Sequence, residues 1–476
     1  MPDQPSQPAA AIPRWVTVLD ILSLVLLGLL LRSALAGGYR IRFTSEIQVS
    51  MDSELRLFAW LTGLLLIRHF AYRPVRWHER VLGWIRQART AETFRATWPA
   101  FVLSRALVLA VGAVAILSVG FNPSPPWRDE GLLLLDMHAR WDAGWYSRIV
   151  REGYPPVFNP LRPSQIAFFP ALPLLVRGAS FLLAIHWLPA AVIIVTSAFF
   201  WGLTYVYRLA REVLTADQAQ TAILFLVFYP FAVAYSAILT ESIFLLAAAG
   251  AFYHFRRSEL VKAGIFGLLA GLVRPNGFLL CVPLGLFAIL PLLSRSATPL
   301  RDERSGIRWP SLFAHLATAS LPVVGMLLFA VYLYTLTGDG FAWMKAQQGW
   351  GRGSTAGFTI ASARWDVIRD QGLATYARVY PIEIFEAAAA FFGLAAVWPI
   401  IRRFGLAYGV FVAMAILPPL ITMGSTSLGR YTAPLFPIFF WLAAAVPEER
   451  RPYWLAAFAT GQALVAVLFY TWRPPY

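Results

Sequence analysis

Charge is scarce in this chain. Only 14% of its 476 residues are Asp, Glu, Lys or Arg, against about a quarter in a soluble domain, too few to wet the surface of a protein this long. Lysine is nearly missing: Lys262 and Lys345 are the two, so the balance of 40 basic against 25 acidic residues, +15, is carried by arginine. The lone cysteine, Cys281, lies in an apolar run and excludes an internal disulfide. The six histidines are scattered and none stands in a His-Glu-x-x-His helix, which leaves no zinc motif. There is no Walker loop, no Rossmann fingerprint and no Gly-x-Ser-x-Gly elbow. An enzyme built this way takes its activated substrate from the lipid phase. What fills the chain is 58% hydrophobic and 15% aromatic, with mean hydropathy +0.60, and apolar stretches of about 20 residues recur. It reads as an all-α polytopic membrane protein. In such a chain surplus arginine reports topology through the positive-inside rule before it reports nucleic acid, and no nucleic-acid partner is expected.

Residues 1–14 are rich in Pro, Gln and Ala and are expected to be disordered. The apolar run 16–36 is longer than a signal-peptide core and no clean cleavage site follows it, so it reads as a retained first helix. The strongest basic stretch, 73–95, belongs in the cytoplasm. Its Val81, Ile85 and Ala88 recur at helical spacing, which lays part of it along the anionic inner leaflet. Arginine clusters at 208/211, 256/257, 295–308, 402/403 and 450/451, all placed inside, give about thirteen spans. These are 16–36, 55–72, 99–120, 187–207, 219–236, 242–256, 261–273, 277–293, 312–336, 383–401, 404–422, 432–447 and 454–471. Under that trace 166–185, with Pro170, Pro173 and Arg177, is a re-entrant or interface-lying helix. The segment 121–163, the turn at Thr240-Glu241, the break at 274–277, the loop 337–381 and the turn 424–430 all collect on the outer side. Ionisable groups at membrane depth are costly and are functional candidates by default.

The densest constellation runs from Asp136 to Tyr154. Trp141, Trp145 and Ile149 recur every four residues, so one helix face can rest in the interface, where tryptophan is favoured. Asp142 stands beside that face with Tyr146 one turn later. A partly desolvated carboxylate there suits general-base work on a hydroxyl; the plainer reading pairs it with Arg140 or Arg148. Asp136, His138 and Asp142 are spaced by two and four and do not share one helical face, which argues against a metal site. Ala167-Phe-Phe-Pro-Ala-Leu-Pro173 can only be kinked or re-entrant. Glu241 sits in a connection with almost no other polar residue and is expected to face a cavity. Arg274, in the break that also holds Pro275, Asn276 and Gly277, either snorkels or binds a phosphate bidentately, and Arg430 has the same two readings. Gln347, Gln348, Trp350 and Arg352 lie among glycines, a mixture for a plain flexible loop or for one that stacks on a sugar.

Arg140-Trp-Asp-Ala-Gly-Trp-Tyr146, Gly153-Tyr154, Ala167-Phe-Phe-Pro170, Thr240-Glu-Ser-Ile-Phe244 and Val273-Arg-Pro-Asn-Gly277 resemble, in that order, the motifs of the PIG-V-like mannosyltransferases. The resemblance covers roughly 99–430. It implies a GT-C fold: a multi-helix membrane glycosyltransferase with its catalytic aspartate in the first large non-cytoplasmic loop. It also implies a polyprenyl-phosphate sugar donor and inversion at the anomeric carbon. A lipid or glycan acceptor is expected, and no cofactor, since arginines can neutralise the leaving phosphate. Asp142 takes the general-base role. Arg140, Trp141, Tyr146, Glu241, Arg274, Asn276, Gln348, Trp350 and Arg430 become candidate substrate-binding residues, with no metal ligand among them. The chain departs from the family at Ser164-Gln165, where an acidic–histidine pair is expected, and in two extra helices before the motif-bearing core. Its Arg- and Ala-rich composition reads as bacterial, which places it in a plasma membrane with the active site on the non-cytoplasmic face.

The expected organisation is therefore an N-terminal part, 1–98, with two extra helices and a basic segment, and a catalytic core, 99–476. Loops 121–186 and 337–382 of that core lie on the non-cytoplasmic side. The rival class is a transporter or flippase of a lipid-linked substrate, which also uses broken helices and membrane arginines. Paired internal repeats would mark it, and none is visible: the Trp-Asp and Arg-Pro-Asn-Gly motifs each occur once in context. A non-catalytic assembly subunit is a third reading, distinguished by tolerance of Asp142→Asn.

Overall fold

The computed structural model describes residues 12–36, 39–42, 48–51, 54–122, 132–293, 301–302, 306–353, 356–424 and 427–473. The segment expected to be disordered, 1–14, lies almost wholly outside the described residues, as do Arg295 and Arg304. The chain divides into two compact units, Met1–Phe94 with Gly178–His186, and Arg95–Arg177 with Trp187–Tyr476.

In the first unit α1 (Arg14–Ala36) and α2 (Glu54–Ala71) flank a short antiparallel hairpin, Tyr39–Arg42 against Gln48–Met51, and α3 (Trp77–Thr90) follows. Asp20, early in α1, meets Arg68, late in α2, so the two helices run in opposite directions. Its carboxylate is fully buried and divided between two cations, Oδ1 to Arg68 Nε at 2.7 Å and Oδ2 to Arg80 Nη1 at 2.6 Å. A buried carboxylate is tolerated only when paired and hydrogen-bonded, and this one ties three helices together.

The second unit begins within α4 (Glu92–Val119) and continues through α5 (Leu133–Asp136), α6 (Ala143–Glu152) and the first part of α7 (Ala171–Leu183). Then come α8 (Trp187–Val213), α9 (Ala216–Phe228), α10 (Glu241–Arg256), α11 (Leu260–Val273), α12 (Cys281–Ile289) and α13 (Trp309–Thr337). Three short or interrupted pieces, α14 (Ala342–Lys345), α15 (Ala356–Gln371) and α16 (Leu373–Val379), lead to α17 (Pro381–Phe404), α18 (Leu406–Met423), α19 (Leu428–Thr432), α20 (Phe436–Ala445) and α21 (Arg451–Tyr470). Local signals account for several boundaries. A capping box between Thr215 and Gln218 opens α9, and Gly338, at φ +77°, closes α13 in the left-handed conformation that glycine adopts without strain.

Helix occupies every one of the expected span positions, but not every helix is long enough to cross a bilayer. By length and hydropathy eight described helices qualify, or nine if α9 and the 3₁₀ turn Pro230–Ser236, bent by 77°, make one span. Of the other expected spans, α2 carries Glu54, Arg56 and Arg68, while α10, α11 and α20 have 16, 14 and 10 residues. At a rise of about 1.5 Å per residue they fall short of a hydrocarbon core of about 30 Å. Eight or nine described helices thus have the length and hydropathy of a span, against about thirteen expected. The chain ends these helices at internal breaks, and Glu241 and Arg274 stand at such breaks. α7, at 13 residues, is likewise too short to span, as the prolines of 166–185 led one to expect.

Breaks inside an apolar bundle free backbone carbonyls, which must find donors. At the α9 bend, Arg105 of α4 donates through Nη1 to Ala232 O at 2.9 Å and through Nη2 to Val227 O at 3.2 Å. Gln462 of α21 donates to Val227 O and Tyr229 O. α10 packs between α8 and α11, with Phe252 at the centre of a ring cluster formed by Phe287, Tyr408, Phe411 and Phe436. The two ends of α10 are chemically opposite. Its C-terminal Arg256 pairs with Glu212 at 3.0 Å and donates to the Tyr408 hydroxyl, whereas its N-terminus carries Glu241.

The tightest crossing is that of α11 and α13. Gly267 and Gly271 stand four apart on one face of α11, the small-residue spacing by which helix backbones approach in membranes. A Cβ on Gly271 would lie 1.9 Å from Pro322 O, and one on Gly325 would lie 2.3 Å from Leu268 O. Gly271→Val is therefore expected to cost about 1–3 kcal/mol through overpacking. The readout is the thermal midpoint in detergent, and an unchanged midpoint would contradict the close approach.

Candidate active site

The site is assembled from four helix ends. Between α5 and α6 the chain makes a turn that is fixed from behind. Arg140, fully buried, pairs through Nη2 with Asp136 Oδ2 at 2.8 Å and donates to the Asp136, Ala139 and Tyr470 carbonyls. His138 Nδ1 faces Ser236 O, and burial holds its imidazole below the usual histidine range, so it stays neutral. Trp141 takes a left-handed φ of +54°, donates from Nε1 to Phe469 O at 3.2 Å and packs on Trp472. Both side chains, expected to contact substrate, are engaged with the C-terminal end of the chain.

That turn delivers Asp142 to the N-cap of α6, where an aspartate ordinarily accepts a backbone N–H. Asp142 makes no such bond. Its carboxylate is directed outward, Oδ2 to Arg430 Nη1 of α19 at 3.0 Å, with 27% of the side chain exposed. Neither Arg140 nor Arg148 pairs with it; Arg148 is turned to Glu152. Arg430 in turn places Nε 3.1 Å from Glu241 Oε1, and the same oxygen accepts from Arg274 Nη2 at 2.6 Å. The side chains of Glu241, Arg274 and Arg430 are 1%, 5% and 9% exposed. Four charges therefore alternate in sign from the exposed Asp142 inward to Arg274.

Arg274 reaches this row because α11 stops at the residue before it. It has extended backbone, φ −157°, followed by Pro275, and Gly277 passes so close to Ala270 O that a Cβ would lie 1.9 Å away. The guanidinium also donates to Thr240 Oγ1 at 2.9 Å and lies over the rings of Phe244 and Tyr431. Its Nε and Nη1, and Glu241 Oε2, are buried and have no hydrogen-bond partner among the described residues. Unsatisfied donors in a polar pocket are expensive and are what a bound anion would satisfy.

An aromatic box closes one side. Trp145 stacks on Phe168 at 5.8 Å, and Trp350 stands edge-on to both. The stripe Trp141, Trp145 and Ile149 is thus packed into protein and not laid on the interface: Trp145 meets the 165–169 and 346–350 turns, Trp141 meets Phe469 and Trp472, and Ile149 is buried. Tyr154 holds the first of these turns by donating to Phe168 O at 2.8 Å, and Gln347 donates to Ala167 O at 3.3 Å. Tyr146, under Phe168, is raised above the ordinary phenol range by burial and then by the Asp142 and Glu241 carboxylates, so it remains a neutral hydroxyl.

Asp142, Tyr146, Arg274, Trp350 and Arg430 line a small cavity of about 50 Å³. It shares Pro275, Gln347, Arg352 and Tyr431 with a cavity of about 790 Å³ whose walls are mainly apolar, among them Phe278, Leu279, Met326 and Met423. Asn276 and Gln348 belong to this larger space. Tyr431, Thr240 and Phe168 also line the small cavity without having been singled out from the sequence: Phe168 and Thr240 stood in quoted motifs without a role, and for Tyr431 an aromatic in an apolar run carries no signal that separates lining from packing. Arg140→Met leaves buried Asp136 without its ion-pair partner and is expected to cost about 3–5 kcal/mol, seen as loss of folded protein on size exclusion. The double variant Asp136→Leu, Arg140→Met should regain most of it. A single variant of normal stability and weakened donor affinity would return Arg140 to the substrate side.

No curated protein matches the chain. Among solved structures, the chain is similar to the oligosaccharyltransferase of Archaeoglobus fulgidus in complex with zinc and sulfate, at TM-score 0.43 and 14% identity, over 78% of this chain and 53% of that one. It is also similar to the same enzyme tethered to an acceptor peptide containing the NVT sequon, at TM-score 0.42 and 14% identity, over 78% and 55%. The chain spans about half the length of these structures. All five motifs quoted from the sequence lie within 130–347, and the family whose model matches that stretch is the one they resemble: mannosyltransferase (PIG-V).

Proposed function

We propose that this integral membrane protein is a GT-C glycosyltransferase that moves a sugar, mannose by the family match, from a polyprenyl phosphate to a hydroxyl of a lipid or glycan acceptor. The non-cytoplasmic face fits this reading, since basic residues favour the cytoplasmic side and Arg256 and Arg257, beside Glu212, stand at the end of α10 opposite Glu241. One observation carries the reading: the partly exposed carboxylate of Asp142 pairs with Arg430 and lines with it and Arg274 a small polar cavity, which shares Pro275, Gln347, Arg352 and Tyr431 with a larger, mainly apolar one.

The chemistry follows from that arrangement. The acceptor O–H gives its proton to Asp142 while its oxygen bonds to C1 of the sugar. The bond from C1 to the phosphate oxygen breaks, and polyprenyl phosphate leaves with the electron pair. Attack from the side opposite the leaving group inverts C1. Arg274 and Arg430 face the growing phosphate charge, the electrostatic stabilisation that is usually the largest catalytic contribution. Before the donor arrives Arg430 neutralises Asp142; a phosphate that draws the guanidinium to itself leaves the carboxylate free to act as base. The Trp145, Phe168 and Trp350 rings offer faces for a sugar, and the apolar cavity takes the first isoprene units.

Asp142→Asn is expected to lower transfer of radiolabelled mannose from polyprenyl-phosphate-mannose by about 10²–10⁴-fold, the range of a positioned base, at unchanged protein level. Equal labelling in wild type and variant would remove Asp142 from the chemistry. No labelling in either would point to another donor sugar or to the transporter reading. Met326→Trp, which fills the larger cavity, is expected to raise KM for long-chain donors while leaving a donor with a truncated lipid nearly unchanged. An equal effect on both would place the chain elsewhere.

A further inference from the structure

Arg430 stands outside the family-matched stretch, on a helix of five residues, and so short an element does not hold its own direction. Three contacts hold it. At its start Ser427 takes a left-handed φ of +64°, a conformation that a residue with a Cβ adopts only where its surroundings impose it. In its middle Gly429 lies against the Phe231 ring, where a Cβ would come within 2.2 Å. At its end Thr432 is hydrogen-bonded to the Tyr229 hydroxyl at 2.8 Å. The contact on Ser427 is the unusual one. Its N–H donates to Glu386 Oε2 at 2.8 Å, and Glu386 lies within the apolar helix α17, 1% exposed. A carboxyl at that depth is costly, and a neutral side chain would fill the space more cheaply.

We propose that Glu386 is a positioning residue for transfer: by accepting the Ser427 N–H it fixes the left-handed entry to α19 and so aims Arg430 at Asp142 and Glu241. This rests on the glycosyltransferase reading, in which Arg430 meets the donor phosphate. Glu386 itself touches neither substrate. Misplacing a catalytic group by about 1 Å can cost about 10²-fold in rate, so the effect of Glu386 passes through Arg430.

The test is a double-mutant cycle in the mannose-transfer assay. Glu386→Ala is expected to lower kcat/KM for the donor by about ten- to a hundredfold, the order of that misplacement effect, with acceptor KM unchanged. Glu386→Gln keeps an acceptor oxygen and is expected to stay within about threefold of wild type, a loss well below that of a broken contact. In an Arg430→Ala background, Glu386→Ala should add almost nothing. If Glu386→Ala is not recovered folded, Glu386→Asp, which withdraws the oxygens by one methylene, takes its place in the cycle. Wild-type activity in the variant, failure of Gln to rescue, or an undiminished loss in the Arg430→Ala background would each overturn the proposal. Arg430→Ala that transfers normally would overturn the functional reading beneath it, a different result from a fall in Arg430→Ala with none in Glu386→Ala.

Discussion

One carboxylate oxygen organises the polar interior of this protein. Glu241 Oε1 receives both Arg274 and Arg430, from helices far apart in sequence, at depths where an unpaired charge of either sign would be prohibitive. Two guanidinium groups set side by side would repel; with the carboxylate between them they stand together, and Arg274 keeps two donors with no partner among the described residues. Asp142 completes the row at its exposed end. The aromatic box and both cavities are arranged around that row, and each helix that supplies a charge to it ends at the residue concerned or within a turn of it.

The dependence on helix ends has a physical cause. A continuous helix in an apolar medium satisfies its own backbone and presents little else, so a polar site at membrane depth has to be made where helices stop. Here the stops are α11 before Arg274, α10 at Glu241, α6 at Asp142 and α19 around Arg430. Several of the bundle's breaks are underwritten elsewhere: Gly277 against Ala270, Arg105 and Gln462 on the carbonyls of the α9 bend, Arg140 behind the Asp142 turn. The short helices that result, such as α10 and α11, are the same feature that makes a span count by hydropathy exceed what their lengths allow.

Much of this was legible before any coordinates. Scarce charge and recurrent apolar runs made the membrane class unavoidable, and a Pro-Asn-Gly break in such a run announced a helix end. Asp142, Glu241, Arg274 and Arg430 stood out because ionisable residues are rare at those depths, and rarity is a signal a single sequence can carry. Arg140 and Trp141 stood out for the same reason and yet meet Tyr470 and Phe469, since rarity marks a costly residue without saying which neighbour justifies it. Glu386 escaped notice although it is equally rare, because nothing beside it in sequence hints at Ser427, 41 residues away.

The chain by itself determined the helical membrane class, the positions of the helices and their breaks, and the set of charged residues from which a site is drawn. Those follow from local composition and periodicity, which depend on neighbours a few residues apart. Tertiary structure alone decided the pairing: that Asp142 meets Arg430 and not Arg148, that Glu241 is shared by two arginines, that Trp145 packs under Trp350 instead of resting in lipid. Such pairings join residues separated by tens to hundreds of positions. Their geometry is set by how closely helices such as α11 and α13 approach, a property of packed surfaces that no window of sequence contains.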